Sequence, residues 1–394
     1  MRVLIVHNNY GKPSGEEHAL STFERLLREN GHEVLQFRKS SESLMGGSRI
    51  EQIKAFASGI HSFKSAKEID AFLSENEVDV VQLQNVFPFL SPSVVPVIKR
   101  HGIPVVMRCP NYRLFCPSGL HLRDGKVCTK CAGGKEWNCF KHNCESNRLK
   151  SLGYSIRSGW ARYRRTFLDH VDQFLVLTEF QKKRFMDGGI EEERISLMPN
   201  FSQQPIDKPL QRSLGKTVSF VGRLSQEKGI ELFLQAAERL PHLKFVAAGN
   251  DRWISDTGRS VPPNVELTGF LSGSELEQFY RDSKMMCFPC QWFEGFPNVM
   301  ITAMEHSKPI VAADIGALPE IINRDECGIL HEPSSLDEMV AAIEKLSSDD
   351  ELCDRLGQNG LRRVQQHYHE SVVYPRLIEI YERSIQRQSS KTRI

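Results

Sequence analysis

The sequence has almost no surplus of charge of either sign: 51 Lys and Arg face 49 Asp and Glu, a formal net charge of +2 over 394 residues. A protein devoted to a polyanion carries a basic excess, so no nucleic-acid partner is expected. Long apolar runs are missing as well. No stretch reaches the roughly 18 uninterrupted apolar residues that a membrane-spanning helix needs. The opening MRVLIVHNN turns polar too soon for a secretory signal. Cysteine is sparse, with ten residues, well short of a disulfide scaffold. Internal repeats and low-complexity tracts are absent. A hydrophobic fraction of 40% and a charged fraction of 25% exclude a largely disordered chain. These absences leave a cytoplasmic globular protein, and at about 150 residues per domain the length suggests two or three domains.

What is present is a repeated alternation of strand and helix. Val3, Leu4, Ile5 and Val6 form the short continuous apolar run of a buried strand. A turn-rich stretch at 11–15 follows, then Ala19, Leu20, Phe23, Leu26 and Leu27 at helical spacing, then a strand at 34–37. Further strands are predicted at 78–83, 103–107 and 171–178. A linker at 199–216, carrying Pro199, Pro205 and Pro209, precedes a second series. There strands are predicted at 218–222, 245–248, 265–267, 285–288 and 309–312, with a helix at 230–240. A terminal helix is predicted over 371–385, with Val373, Leu377, Ile380 and Tyr381 on one face. The expected architecture is α/β: two doubly wound Rossmann-like domains, 1–200 and 201–370, facing a central cleft, with 371–394 returning toward the first domain.

Ligands of such domains bind in the loops at the carboxyl ends of the strands. Two loops of the second series carry chemistry. In Phe220-Val221-Gly222-Arg223-Leu224-Ser225-Gln226-Glu227-Lys228-Gly229 a strand ends at Gly222 and Gly229 opens the next helix. A guanidinium fork and an ammonium beside a helix N-terminus suit a diphosphate; the alternative is that both cations are merely solvated. In Glu294-Gly295-Phe296-Pro297-Asn298-Val299-Met300 a carboxylate and a glycine stand at a strand-to-helix turn. Glu294 can accept hydrogen bonds from ligand hydroxyls while the helix amides face an anion. The alternative is plain capping by Asn298 beside an exposed acid.

FVGRLSQEKG, EGFPNV and GALPEII, in that order, together with VHNNYGKPSGEEHAL, RENGHEV and PNYRLFCPSGL, resemble family 4 glycosyltransferases of the two-domain GT-B architecture. The resemblance implies transfer of a sugar from a nucleotide-diphosphate donor to a saccharide or lipid-linked acceptor, with retention at the anomeric carbon and no catalytic metal or other cofactor. It implies an enzyme of surface-polysaccharide or glycolipid assembly. Arg223 and Lys228 would hold the diphosphate and stabilise its departing charge, the kind of electrostatic stabilisation that is usually the largest catalytic term. Glu294 would contact sugar hydroxyls, aided by amides of Gly295, Phe296 and Asn298. Gly222 would shape the diphosphate turn, and Phe270 and Leu271, after Gly269, would lie in the base-binding loop. Gly15 would let backbone approach the transferred sugar.

Two positions depart from the family pattern. Thr302 stands where a second glutamate ordinarily grips the donor ribose, with Glu305 one turn further on. Cys109-Pro110 replaces a histidine before Asn111, and Gln82-Leu83-Gln84-Asn85 replaces a stretch that is often histidine-rich. A degraded member that binds a nucleotide sugar without turnover is the alternative function. Six of the ten cysteines fall within 109–144, an expected insertion. Cys128, Cys131, Cys139 and Cys144 have the spacing of a structural zinc knuckle, with His142 as a spare ligand. Reduced thiols or a disulfide are the alternatives, and Cys287 and Cys290 are expected to pack in a core strand. Finally, 146–168 contains Arg148, Lys150, Arg157, Arg162, Arg164 and Arg165 and no acid, with Leu149, Leu152, Ile156, Trp160, Tyr163 and Phe167 at helical spacing. Such a helix either contacts the inner face of an anionic membrane or packs on its own domain with a solvated basic face.

Overall fold

The computed structural model describes residues 1–10, 15–41, 56, 58–204 and 215–392. Most of the expected turn at 11–15, and the linker prolines Pro205 and Pro209, lie outside the described residues. In chain order the strands are β1 (Arg2–Asn9), β2 (Glu33–Ser40), β3 (Val80–Leu83), β4 (Val105–Arg108), the short β5 (Leu122–Arg123) and β6 (Lys126–Val127), β7 (Gln173–Val176) and β8 (Ile195–Leu197). The second series is β9 (Thr217–Val221), β10 (Lys244–Ala248), β11 (Val265–Gly269), β12 (Ser283–Phe288), β13 (Ile310–Ala313) and β14 (Gly328–His331). Contacts divide the chain into two compact units. One comprises Met1–Leu120, Thr129–Met198 and Tyr374–Ile394, the other His121–Cys128 and Pro199–Val373.

In the first unit six strands form one sheet in the order β2-β1-β3-β4-β7-β8, every pairing parallel. Val3 to Val6 are fully buried. Strands covered on both faces keep no polar alternation, which is why the run is continuous. Helix Gly15–Glu29 buries Leu20, Phe23, Leu26 and Leu27 and has acids in its first turn. Those acids suit the positive end of its dipole. The terminal helix, Glu370–Thr392, belongs to this unit from Tyr374 onward. There Tyr381 donates its hydroxyl to Gln82 Oε1, and Lys99 Nζ donates to Gln388 Oε1 at 2.8 Å. Gln82 is thus the buried anchor of the terminal helix, which accounts for an amide in a core strand.

The second unit repeats the plan with the order β11-β10-β9-β12-β13-β14, again all parallel. Helix Ile230–Arg239 buries Ile230, Phe233, Leu234 and Ala237 against the sheet. Phe233 sits between Phe220 and Phe245, at ring distances of 5.5 and 5.3 Å. The antiparallel hairpin of β5 and β6 groups with this unit, and the His121 ring stands edge-on to Phe293 at 6.3 Å. Among the described residues no helix is long and apolar enough to cross a membrane.

Candidate active site

The strand order of the second sheet reverses between β9 and β12. In open parallel sheets a crevice opens at that reversal, outside the carboxyl ends of the strands. The loops leaving β9 and β12 there are 222–229 and 289–297, the two segments singled out above.

They meet backbone to backbone. Gly229 has φ +81°, and a Cβ built on it would lie 1.9 Å from the Pro289 carbonyl oxygen, so only glycine fits. Gln291 N donates to Glu227 O at 2.9 Å and closes the contact. This approach brings Lys228 to Glu294: the ammonium and carboxylate form an ion pair between two largely buried side chains. Trp292 Nε1 donates to the same oxygen, Oε1, at 2.8 Å, and the Lys228 nitrogen lies 5.5 Å from the Trp292 ring centroid. Among the described residues all these bonds fall on Oε1. Burial opposes the charge on Lys228, but the Glu294 carboxylate outweighs it and holds the ammonium above its ordinary range. Arg223 differs. Its side chain is 65% exposed and reaches Glu227 Oε1 at 2.9 Å, which also accepts from Ser225 Oγ at 2.7 Å. Lys228 is thus held between buried partners, whereas Arg223 is exposed and paired only at the surface.

Helix Asn298–Glu305 begins directly after this loop, with no side-chain cap and no acid in its first turn. Its first amides therefore have no side-chain acceptor, and Met300 N donates to Pro297 O at 3.0 Å. Asn200 Nδ2 donates to Phe296 O at 2.9 Å, and the Phe296 ring packs on Tyr368 at 5.0 Å, which fixes the turn through Gly295. Phe270 and Leu271 follow β11, two strands away from β9; Phe270 is 83% exposed.

Thr302 donates its hydroxyl to Asn298 O at 3.2 Å within its own helix. Glu305 is buried, and its Oε1 has no hydrogen-bond partner among the described residues. Burial pushes its carboxyl up to about 7. A carboxyl raised in the fold binds protons there that the unfolded chain has released, so it lowers stability as pH rises from about 4.5 to 7. The shift corresponds to about 3 kcal/mol. Glu305→Gln is therefore expected to raise the melting temperature at pH 8 and to leave it nearly unchanged at pH 4.5. Thermal denaturation of both proteins at the two pH values checks this.

The first sheet also reverses its order, between β1 and β3. Gly15 opens the helix after β1, and a Cβ there would meet nothing within 4 Å. Near Gly15 lies a network with no local sequence signature. Tyr10 donates its hydroxyl to Glu16 Oε2 at 2.7 Å, and Arg113 Nη1 donates to Tyr10 Oη at 3.3 Å and to Asn85 Oδ1 at 2.9 Å. Glu16, Asn85 and Arg113 line a cavity of about 70 Å³ with Gln84, Cys109 and Asn111; Gln84, Asn85 and Cys109 are among the positions where the chain departs from the family pattern.

Among the described residues no group of three or more His, Cys, Asp or Glu side chains is placed to hold a metal ion. Cys128 closes the β5–β6 hairpin, its amide donating to His121 O at 2.7 Å, and groups with the second unit. Cys131, Cys139 and Cys144 group with the first. Burial raises the Cys139 thiol, and the nearby thiols of Cys144, Cys131 and Cys116 raise it further. No disulfide joins any two of the ten cysteines, and Cys287 and Cys290 are buried.

Residues 203–363 match the family model described as glycosyl transferases group 1. The chain is 27% identical over 207 residues to an alpha-D-kanosaminyltransferase of Streptomyces kanamyceticus, covering 50% of this chain and 51% of that protein. It is 25% identical over 219 residues to the capsular polysaccharide biosynthesis glycosyltransferase CapM of Staphylococcus aureus, covering 52% and 55%. The chain thus spans about half the length of these curated relatives. Among solved structures, Anabaena Alr3699/HepE in complex with UDP superposes with a TM-score of 0.65 at 15% identity, over 97% of this chain and 100% of that one. At that identity the likeness concerns the fold, which is the paired α/β plan of GT-B proteins. The Lys228–Glu294 pair and the loops that carry it lie within 203–363, the segment that matches the glycosyl transferases group 1 model.

Proposed function

We propose that the chain is a retaining glycosyltransferase. It moves a sugar from a nucleotide-diphosphate donor to a saccharide or lipid-linked acceptor, in the cytoplasm, in the assembly of a surface polysaccharide or glycolipid. The observation that carries this reading is the buried Lys228–Glu294 pair at the reversal of the second sheet. Cleavage of the bond between the anomeric carbon and the diphosphate builds negative charge on the leaving oxygen. Lys228, oriented in advance by Glu294 and Trp292, meets that charge without having to reorganise. Arg223 closes on the diphosphate from the exposed side, exchanging Glu227 for phosphate oxygens. Glu294 Oε2 and the leading amides of helix Asn298–Glu305 hold sugar hydroxyls. The capsular role of CapM supports the pathway, and the UDP complex of HepE supports a nucleotide-diphosphate ligand.

A screen of nucleoside diphosphates by thermal shift, followed by transfer from the sugar donors that bind, tests the proposal. Arg223→Ala, at an exposed position, should leave the melting temperature in place and weaken donor binding about ten- to a hundredfold. Thr302, engaged with its own helix, favours the second reading, a nucleotide-sugar-binding protein that has lost turnover. Tight donor binding with no transfer or donor hydrolysis would support that reading instead.

A further inference from the structure

Helix Arg148–Tyr163 is turned inside out. Toward its own unit it buries Ser151, Gly153, Ser155, Arg157 and Ala161. Ser155 Oγ accepts from Phe140 N at 3.0 Å and donates to Glu136 O at 2.9 Å, so small polar residues make the packing contact. The Arg157 guanidinium stacks on Tyr154 and Phe87, 3.7 and 4.3 Å from the ring centroids. Its apolar residues face outward: Leu149 is 77% exposed, Ile156 41%, Trp160 44% and Tyr163 78%. These recur at spacings of seven, four and three, one continuous helical stripe. The adjoining helix Trp137–Lys141 adds Trp137 and Phe140, both exposed. A surface helix ordinarily buries such a stripe, and a contiguous exposed apolar patch marks an interaction site.

We infer that this face docks on an anionic lipid bilayer. Exposed Arg148, Lys150 and Arg164 flank the stripe, and 146–168 holds no acid. Glu145 and Asp169, just outside, are each paired with a cation, Lys150 at 2.7 Å and Arg165 at 2.9 Å. Trp and Tyr rings with polar tips, between aliphatic side chains and a fringe of cations, suit the boundary between acyl chains and anionic headgroups. A second copy of the chain fits poorly, because a twofold contact would set these cations against their own equivalents. The inward side of the same helix, through Ser158, Ala161 and Arg162, lines the cavity that holds Arg113 and Asn85. Docking would therefore bring that cavity up to the headgroups, where the polar end of a lipid-borne molecule is within reach. The inference concerns a surface of the first unit and does not depend on the proposed transfer reaction.

The full chain is sedimented with vesicles of phosphatidylcholine alone and of phosphatidylcholine mixed with phosphatidylglycerol, at low and high salt. Binding is expected only to the mixed vesicles and is expected to weaken steeply with salt. Arg148→Glu with Arg164→Glu, and separately Trp160→Ser with Tyr163→Ser, should each reduce binding about tenfold or more at unchanged melting temperature. No binding at low salt, or binding by both variants as tight as that of the unsubstituted protein, would overturn the inference. So would a stable dimer whose dissociation follows Trp160→Ser with Tyr163→Ser.

Discussion

Lys228→Ala is expected to cut transfer from a nucleotide-diphosphate sugar by about 10²- to 10³-fold, the cost of removing one preorganised group from a developing oxyanion. The loss should fall on the chemical step, because the ammonium faces charge that grows as the diphosphate departs. Glu294→Gln separates charge from shape. The amide can still accept from Trp292, but Lys228 is left buried without its counter-ion. Breaking one side of a buried pair costs about 3 kcal/mol or more, so this variant should lose stability as well as activity. Single-turnover rates with bound donor, measured well below each melting temperature, keep the two effects apart. A Lys228→Ala enzyme that keeps wild-type single-turnover rates would remove the ammonium from the mechanism.

Gly229→Ala is expected to lower stability by about 3 kcal/mol, a fall of about 6–12 °C in melting temperature. Two penalties combine there. The left-handed backbone disfavours any side chain, and the methyl would meet the Pro289 carbonyl at 1.9 Å. Relief requires the loops after β9 and β12 to move apart, which separates Lys228 from Glu294. Gly222→Ala is the control. Its φ of +141° also disfavours a side chain, but a Cβ there meets nothing within 4 Å, so the cost should stay near about 1 kcal/mol. Differential scanning calorimetry of the two variants beside wild type decides. Equal destabilisation would mean that loop contact plays no part.

The legible elements were those whose burial is two-sided or whose motif is local. The run Val3 to Val6 has no polar alternation because neighbours cover both faces of β1. The loop holding Arg223 and Lys228 carries its own turn glycines. β8, three residues long at the sheet edge, has too little apolar pattern to stand out. The partner of Lys228 was not legible, since Glu294 lies 66 residues away and only the order β9–β12 joins them. Trp292, which donates its indole N–H to Glu294, has no spacing that marks it beside the motif. The network of Tyr10, Glu16, Asn85 and Arg113 spans separations of up to 103 residues and has no spacing rule. For helix Arg148–Tyr163, periodicity reveals a stripe but not which way it faces; the small residues at Ser151, Gly153 and Ser155 were the sign that the other face packs inward. Cysteine spacing could not show that Cys128 closes the β5–β6 hairpin and groups with the second unit, while Cys131, three residues on, groups with the first.

The most direct test of the central claim follows donor consumption. Purified protein is incubated with a nucleotide-diphosphate sugar that it binds, with and without membrane-derived glycan acceptors, while released nucleoside diphosphate and the anomeric configuration of the product are measured. Release that depends on acceptor, a product keeping the donor's configuration, and loss of both in Lys228→Ala are the predicted results. Donor binding without release, or release unaffected by Lys228→Ala, would contradict it.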